Sequence, residues 1–259
     1  MPNDRFSNAL QGIPQKIPPI WLMRQAGRYH SHYQSLKKKY SFEDLCKIPN
    51  LSAETALGPI NDFDFDVAIL FSDILFPLES LGMNLKFDPG PKFSEILTEE
   101  NHKKILNQNN PIQFLDFQAE AIERTLERLP KDKSMIGFIG GPWTLLSFAM
   151  GKNKDIHIAS LKEFEWQIIT EKLVPLLYEN VSLQLEAGAE IVMILDSTVN
   201  QISNIDFEKY IRIVFKEIVS NFPGKVGYYS KSGIDYDLIE TIRNNSNTPL
   251  AGLGLDSNV

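Results

Sequence analysis

Short, nearly continuous apolar runs alternate along the chain with longer stretches whose apolar residues recur at helical spacing. The runs cover residues 19–23; 66–71, closed by Ser72-Asp73; 135–139, closed by Gly140-Gly141-Pro142; 191–195, closed by Asp196-Ser197; 225–229, closed by Ser230; and 250–255, closed by Asp256. Runs apolar at almost every position, with polar or glycine punctuation at one end, predict parallel strands buried on both faces. Phe114, Phe117, Ala121, Ile122, Leu126 and Leu129 share one stripe and predict a helix over 112–129. Tyr210, Ile211, Val214, Phe215 and Ile218 predict another over 207–222, and 235–243 a shorter one. Residues 161–187 are long and apolar with Pro175 inside, which predicts a kinked helix or two helices.

Alternating strands and helices predict an α/β fold with a parallel sheet. A doubly wound sheet would normally carry a glycine-rich phosphate loop after an early strand, and the chain has neither GxGxxG nor GxxxxGK[ST]. A (β/α)8 TIM barrel instead gathers polar residues from many strand ends on one face. Arg24, Asp73, Gly140, Asp196, Ser230 and Asp256 stand at such ends, so the barrel is the expectation, as a single domain over residues 1–259. Six strands fall short of eight, and some sixty residues separate the second from the third. The expectation is therefore a barrel truncated after about the sixth strand.

Composition narrows the chemistry. The chain has 259 residues, 43% of them hydrophobic, and a net charge of −7, which argues against nonspecific nucleic-acid binding. No apolar run reaches the length of a membrane span, the first residues lack the apolar core of a secretory signal, and the single cysteine, Cys46, cannot form an internal disulfide. A cytoplasmic protein is expected. Cys46 has no base near it in sequence and is read as a packed thiol.

Two of the seven arginines, Arg24 and Arg28, stand four residues apart at the end of the first run. A guanidinium is a planar fork that pairs bidentately with carboxylates, so two of them suggest a ligand carrying several. A solvated basic turn is the alternative. From Arg24 to Lys39 there are five basic residues and no acidic one, a local positive patch that could steer an anion. Lys37, Lys38 and Lys39 are read as a solvated helix face. His30 and His32 alternate beside the arginines, with no third metal ligand nearby; His102 and His157 look like surface residues.

The hexapeptide Arg24-Gln25-Ala26-Gly27-Arg28-Tyr29, after Ile20-Trp21-Leu22-Met23, resembles the signature of the uroporphyrinogen decarboxylase family. Phe71-Ser72-Asp73-Ile74-Leu75 is similar to the family's second motif, Gly141-Pro142-Trp143-Thr144-Leu145 to its third, and Ala187-Gly188-Ala189 through Asp196-Ser197 to its fourth strand region. Leu253-Gly254-Leu255-Asp256 resembles a late glycine-leucine-aspartate stretch. The likeness is collinear from about residue 18 onward.

The resemblance implies a cofactor-free, metal-free (β/α)8 barrel, a cytoplasmic homodimer that decarboxylates the four acetates of uroporphyrinogen III to give coproporphyrinogen III. It implies Asp73 as the catalytic carboxylate, facing pyrrole N–H groups and stabilising positive charge. It implies Arg24, Gln25, Ala26, Gly27, Arg28, Asp73, Phe148 and Ser197 as the substrate-binding set. For Asp73 and Ser197 a helix cap remains the competing role, and Gly27 could equally be a turn glycine. Trp143 is read as core or wall.

Three departures stand out. Phe148 replaces the family's tyrosine, Thr198-Val199-Asn200 follows Ser197 where the family has an aromatic or histidine and then alanine and glycine, and the family's substrate-contacting histidine has no counterpart in this chain. They keep open a non-catalytic tetrapyrrole-binding paralogue. A related corrinoid or thiol methyltransferase, which would need zinc held by late histidine and cysteine, fits less well with one cysteine at position 46.

Overall fold

Five of the six apolar runs fold as strands, and the exception is the first. The computed structural model describes residues 3–109, 111–152, 158–231 and 235–255; His157 and Asp256 lie outside them. In chain order the elements are α1 (Asp4–Leu10), α2 (Ser31–Lys37), α3 (Phe42–Lys47), α4 (Pro49–Phe63), β1 (Val67–Ile69), α5 (Phe76–Ser80), β2 (Leu85–Phe87), β3 (Pro91–Phe93) and α6 (Lys103–Leu106). They continue with α7 (Asp116–Arg128), β4 (Ser134–Gly140), α8 (Pro142–Ala149), α9 (Glu163–Ile168), α10 (Val174–Glu186), β5 (Ile191–Leu195), α11 (Asn204–Glu217), β6 (Val226–Tyr229), α12 (Tyr236–Ser246) and β7 (Gly252–Gly254).

The main sheet has the order β1-β4-β5-β6-β7, with β1 parallel to β4 and β6 parallel to β7. Each later strand adds on the same side, with no reversal. A doubly wound sheet reverses its order at a switch point, whereas a TIM-barrel sheet winds in one direction, as here. The antiparallel hairpin β2–β3 lies in the long connection between β1 and β4. The break expected at Pro175 appears as a π-helical turn over Ile169–Leu173 between α9 and α10. Proline has no N–H for the carbonyl one turn back, and the wider turn accommodates that loss.

The expected first strand, 19–23, is corrected to irregular backbone. Pro18 and Pro19 offer no N–H to a ladder. Ile20 is held by one carboxylate residue instead: its N–H donates to Asp66 Oδ2 at 2.7 Å, and Asp66 N–H donates to its carbonyl at 2.9 Å. Ile20, Leu22 and Met23 all remain exposed, so their apolarity does not mark a buried strand.

The chain divides into two compact units. Unit 1 comprises Met1–Asp73, Asp116–Phe138 and Leu183–Val192. In it α4 packs on α7, both presenting small buried residues: Ser52, Ala53 and Ala56 on α4, Ala121 and Thr125 on α7. Small side chains let two helix axes approach closely. Buried Asp66, just before β1, ties the N-terminal arm down: it accepts from Asn3 Nδ2 at 3.1 Å and pairs with Arg5 at 2.5 Å. Asn3 also caps α1 through Phe6 N–H.

Unit 2 comprises Ile74–Leu115, Ile139–Ser182 and Met193–Val259. Trp143, Tyr210, Phe215 and Tyr228 are its largest fully buried side chains beside Phe76. Ser203 caps α11 through Asp206 N–H, and the buried Asp206 carboxylate accepts Leu161 N–H at 2.8 Å.

Candidate functional site

In unit 1 the segment from Arg24 to Tyr29 is a loop rather than the end of a strand. Gln25, 1% exposed, anchors it: Oε1 accepts Leu22 N–H at 3.2 Å, and Nε2 donates to the Val67 carbonyl of β1 at 3.1 Å. Tyr29 OH closes the turn on the Gln25 carbonyl at 2.5 Å. Gly27 fits tightly, since an added Cβ would stand 2.9 Å from the Arg24 carbonyl oxygen. Arg24 itself is left-handed, with φ +62°. For an arginine this conformation costs roughly 1 kcal/mol, and such strain concentrates at functional positions.

The effect is to pin the backbone and leave the forks outside. Arg24 and Arg28 are exposed, and among the described residues neither has an ion-pair partner. Ala26 and Gly27 are half-buried between them.

Asp73 closes the segment that leaves β1 in the same unit. Leu70 N–H still bonds to the Ile136 carbonyl, Ser52 Oγ donates to the Phe71 carbonyl at 2.7 Å, and Gln118 Nε2 donates to Ser72 Oγ at 3.0 Å. The Phe71 ring lies 5.6 Å from that of Tyr33. Three successive residues are thus held before Asp73, whose side chain is half-buried. The N-cap position of α5 is Leu75, two residues further on.

Electrostatics connect this end with the arginine loop. Burial pushes the Cys46 thiol well above its ordinary range, and the Asp73 carboxylate pushes it further. The Tyr33 phenol is raised by burial and by Cys46 and is drawn back down by the Arg28 guanidinium. Cys46 thus feels the Asp73 charge, and Tyr33 feels both Cys46 and Arg28, within unit 1. Cys46 is fully buried, as expected of a packed thiol.

Phe148 and Ser197, the remaining candidates, belong to unit 2. Phe148 is half-buried on α8. Ser197 is half-buried in the turn after β5, and among the described residues its hydroxyl makes no hydrogen bond. The neighbouring Asp196 is the unit's polar centre and fully buried. Its carboxylate accepts from Thr144 Oγ1 at 2.7 Å, Thr144 N–H at 3.2 Å, Tyr210 OH at 2.6 Å and Tyr228 OH at 2.9 Å. Trp143 is buried too, with its indole N–H on the Thr198 carbonyl at 3.0 Å.

Burial raises the Asp196 pKa, and the hydrogen bonds from Tyr210, Thr144 and Tyr228 oppose that rise. The folded chain then holds this proton more tightly than the unfolded chain does. The group's contribution to stability is complete below the unfolded carboxylate pKa of about 4 and is lost as pH rises through its raised value. The stability of the unsubstituted chain relative to Asp196→Asn is expected to decline as pH rises above about 4. Urea midpoints of both proteins across pH check this; a gap that widens with pH contradicts it.

His30 and His32 do pack together, with ring centroids 5.9 Å apart above Gly58. His30 Nε2 meets Asp62 Oδ2 at 2.7 Å, and His32 Nε2 lies 3.1 Å from Glu54 Oε1 without hydrogen-bond alignment. Among the described residues no group of three or more His, Cys, Asp and Glu side chains is arranged to hold a metal, and no helix is long and apolar enough to cross a membrane.

Six of the eight predicted positions thus fall in unit 1 and two in unit 2. Sequence reasoning missed the anchoring role of Gln25 and the Asp196 network. Gln25 stood inside the motif. Asp196 was visible only as polar punctuation after a strand, since its partners lie 14 to 52 residues away.

The sequence model of the uroporphyrinogen decarboxylase family matches residues 1–259. Uroporphyrinogen decarboxylase of Myxococcus xanthus is 36% identical over 225 residues, covering 84% of this chain and 65% of the relative. That of Geobacter sulfurreducens is 34% identical over 215 residues, covering 81% and 63%. The chain therefore spans just under two thirds of the length of these curated relatives. Among solved structures, a methyltransferase from Methanosarcina mazei superposes with a TM-score of 0.72 at 15% identity, covering 98% of this chain and 75% of that one. At that identity the likeness concerns the fold alone.

Proposed function

Because this chain belongs to the uroporphyrinogen decarboxylase family, we propose that it removes carbon dioxide from the acetate side chains of uroporphyrinogen III, forming coproporphyrinogen III in haem biosynthesis. The observation that carries this reading is the arginine loop of unit 1. Two exposed guanidiniums, without ion-pair partners among the described residues, stand on a backbone pinned to β1, and a half-buried carboxylate follows the same strand. A substrate with eight carboxylates needs the first feature, and its chemistry needs the second.

Loss of carbon dioxide leaves an electron pair on the methylene carbon, and a neutral pyrrole accepts it poorly. Protonating the ring first creates a cation that can. The C–C bond then breaks, its electrons neutralise the ring, and the resulting exocyclic methylene takes a proton to become a methyl group while the ring loses the one it gained. Asp73 accepts pyrrole N–H hydrogen bonds and stabilises the cation, a fixed charge aimed where charge develops. Arg24 and Arg28 grip carboxylates and orient the ring; with a pKa above about 12, arginine is a poor proton donor. The backbone of Gln25, Ala26 and Gly27 lines the same wall. Phe148 and Ser197, whose hydroxyl makes no hydrogen bond among the described residues, supply further contacts. The enzyme works without cofactor or metal, as a single-domain barrel and a cytoplasmic homodimer.

Binding of uroporphyrin, the oxidised octacarboxylate, tests the ligand class by fluorescence titration against coproporphyrin, which carries four carboxylates. Arg24→Ala and Arg28→Ala are each expected to weaken uroporphyrin binding about tenfold, with a loss that shrinks at high salt. Equal affinity for both porphyrins, unchanged in the double variant, would dismiss the arginine loop as the carboxylate site.

A further inference from the structure

We infer that Asp196 is a positioning residue that presents Ser197 through a closed ring of hydrogen bonds, an inference resting on the reading of Ser197 as a substrate contact. The ring can be followed atom by atom within unit 2. Thr144 Oγ1 donates to Asp196 Oδ1 at 2.7 Å and accepts from Thr198 N–H at 3.2 Å. The Thr198 carbonyl accepts the Trp143 indole N–H at 3.0 Å. Trp143 N–H donates to Tyr210 OH at 3.2 Å, and Tyr210 OH returns to Asp196 Oδ2 at 2.6 Å. Ser197 is the residue between the ring's two members on the β5 turn, Asp196 and Thr198.

Every hydroxyl in the ring has its role set. Tyr210 OH accepts Trp143 N–H, Thr144 Oγ1 accepts both Thr198 N–H and Thr198 Oγ1–H, and each donates to the carboxylate, so neither can turn away without leaving a buried group unpaired. The Asp196 carboxyl oxygens accept from Thr144, Tyr210 and Tyr228. The first turn of α8 and the turn after β5 are thereby locked to each other around one residue whose own hydroxyl makes no hydrogen bond among the described residues. Asp196 is fully buried, so its influence on a ligand passes through this geometry rather than through contact. Tyr228 OH reaches the same Oδ2 at 2.9 Å but lies outside the ring, which makes it an internal control of equal burial and chemistry.

The test compares Tyr210→Phe with Tyr228→Phe in the full chain, by hydrogen exchange of the Trp143 indole N–H and by uroporphyrin affinity. Tyr210→Phe is expected to speed Trp143 exchange about tenfold or more and to weaken uroporphyrin binding about tenfold, whereas Tyr228→Phe leaves both within about twofold. In a Ser197→Ala background the effect of Tyr210→Phe on binding is expected to vanish, because the ring then has nothing to present. If Tyr210→Phe does not fold, Thr144→Val breaks the ring at two bonds and is read against Thr144→Ser, which keeps the hydroxyl and restores both measurements. The two tyrosine variants behaving alike, or a binding loss that persists without the Ser197 hydroxyl, would overturn the inference. Absence of uroporphyrin binding to the unsubstituted chain overturns Ser197 as a ligand contact, and unchanged Trp143 exchange overturns the ring itself.

Discussion

Gly141→Ala is expected to destabilise the protein by about 3–5 kcal/mol, a range reached when a buried hydrogen-bond network is broken. An alanine Cβ at this position would stand 2.1 Å from Asp196 Cγ and 2.2 Å from Oδ1. A change of Asp196 rotamer alone does not relieve the clash, because the added atom would also stand 2.6 Å from Asp196 Cβ. Asp196 would have to withdraw from four hydrogen bonds in a fully buried site, or the first turn of α8 would have to move off the sheet. Urea unfolding followed by circular dichroism measures the loss. The double variant Gly141→Ala/Asp196→Ala is expected to lose less than the sum of its parts, since the contacts with the carboxyl group disappear with it. A loss below about 1 kcal/mol would mean that the close packing of Gly141 on Asp196 is not a constraint on the fold.

That glycine illustrates what a sequence does and does not disclose. The runs at 66–71, 135–139, 191–195, 225–229 and 250–255 were legible as strands because a sheet buried on both faces demands apolar side chains at successive positions. The same pattern misled at 19–23. There Pro18 and Pro19 remove ladder donors, and Ile20 bonds to the side chain of Asp66, so apolar residues occupy an exposed loop. The hairpin β2–β3 left no such signal because each of its short strands, Leu85–Phe87 and Pro91–Phe93, has a lysine at its centre and forms no continuous apolar run. Arg24, Arg28 and Asp73 could be singled out because they sit in compact motifs. The Asp196 network could not, since Thr144, Tyr210 and Tyr228 meet only after α8, α11 and β6 have packed. Long-range polar satisfaction has no local period to read.

Asp73→Asn is expected to lower the turnover of uroporphyrinogen about 100-fold or more, while uroporphyrin affinity changes by less than about threefold. The amide keeps the size and one acceptor oxygen of the carboxylate, so contacts made in the ground state survive. What it lacks is the negative charge that a protonated pyrrole requires, and that charge matters only once the ring has become cationic. Leu70, Phe71 and Ser72, the three residues before Asp73, are each held by a separate hydrogen bond. Steady-state kinetics with Asp73→Asn and Asp73→Glu separate charge from position. Similar losses in both kcat and affinity would make Asp73 a binding group, and unchanged turnover would remove it from the mechanism.

Decarboxylation itself is measured most directly with uroporphyrinogen III carrying isotopic label in its acetate carboxyls. Incubated anaerobically with this chain, it is expected to release labelled carbon dioxide and to yield porphyrinogens with seven, six, five and finally four carboxylates, with release nearly absent for Asp73→Asn. Tight binding of the porphyrinogen with all label retained on eight carboxylates would contradict the account, leaving the arginine loop as part of a carrier rather than an enzyme.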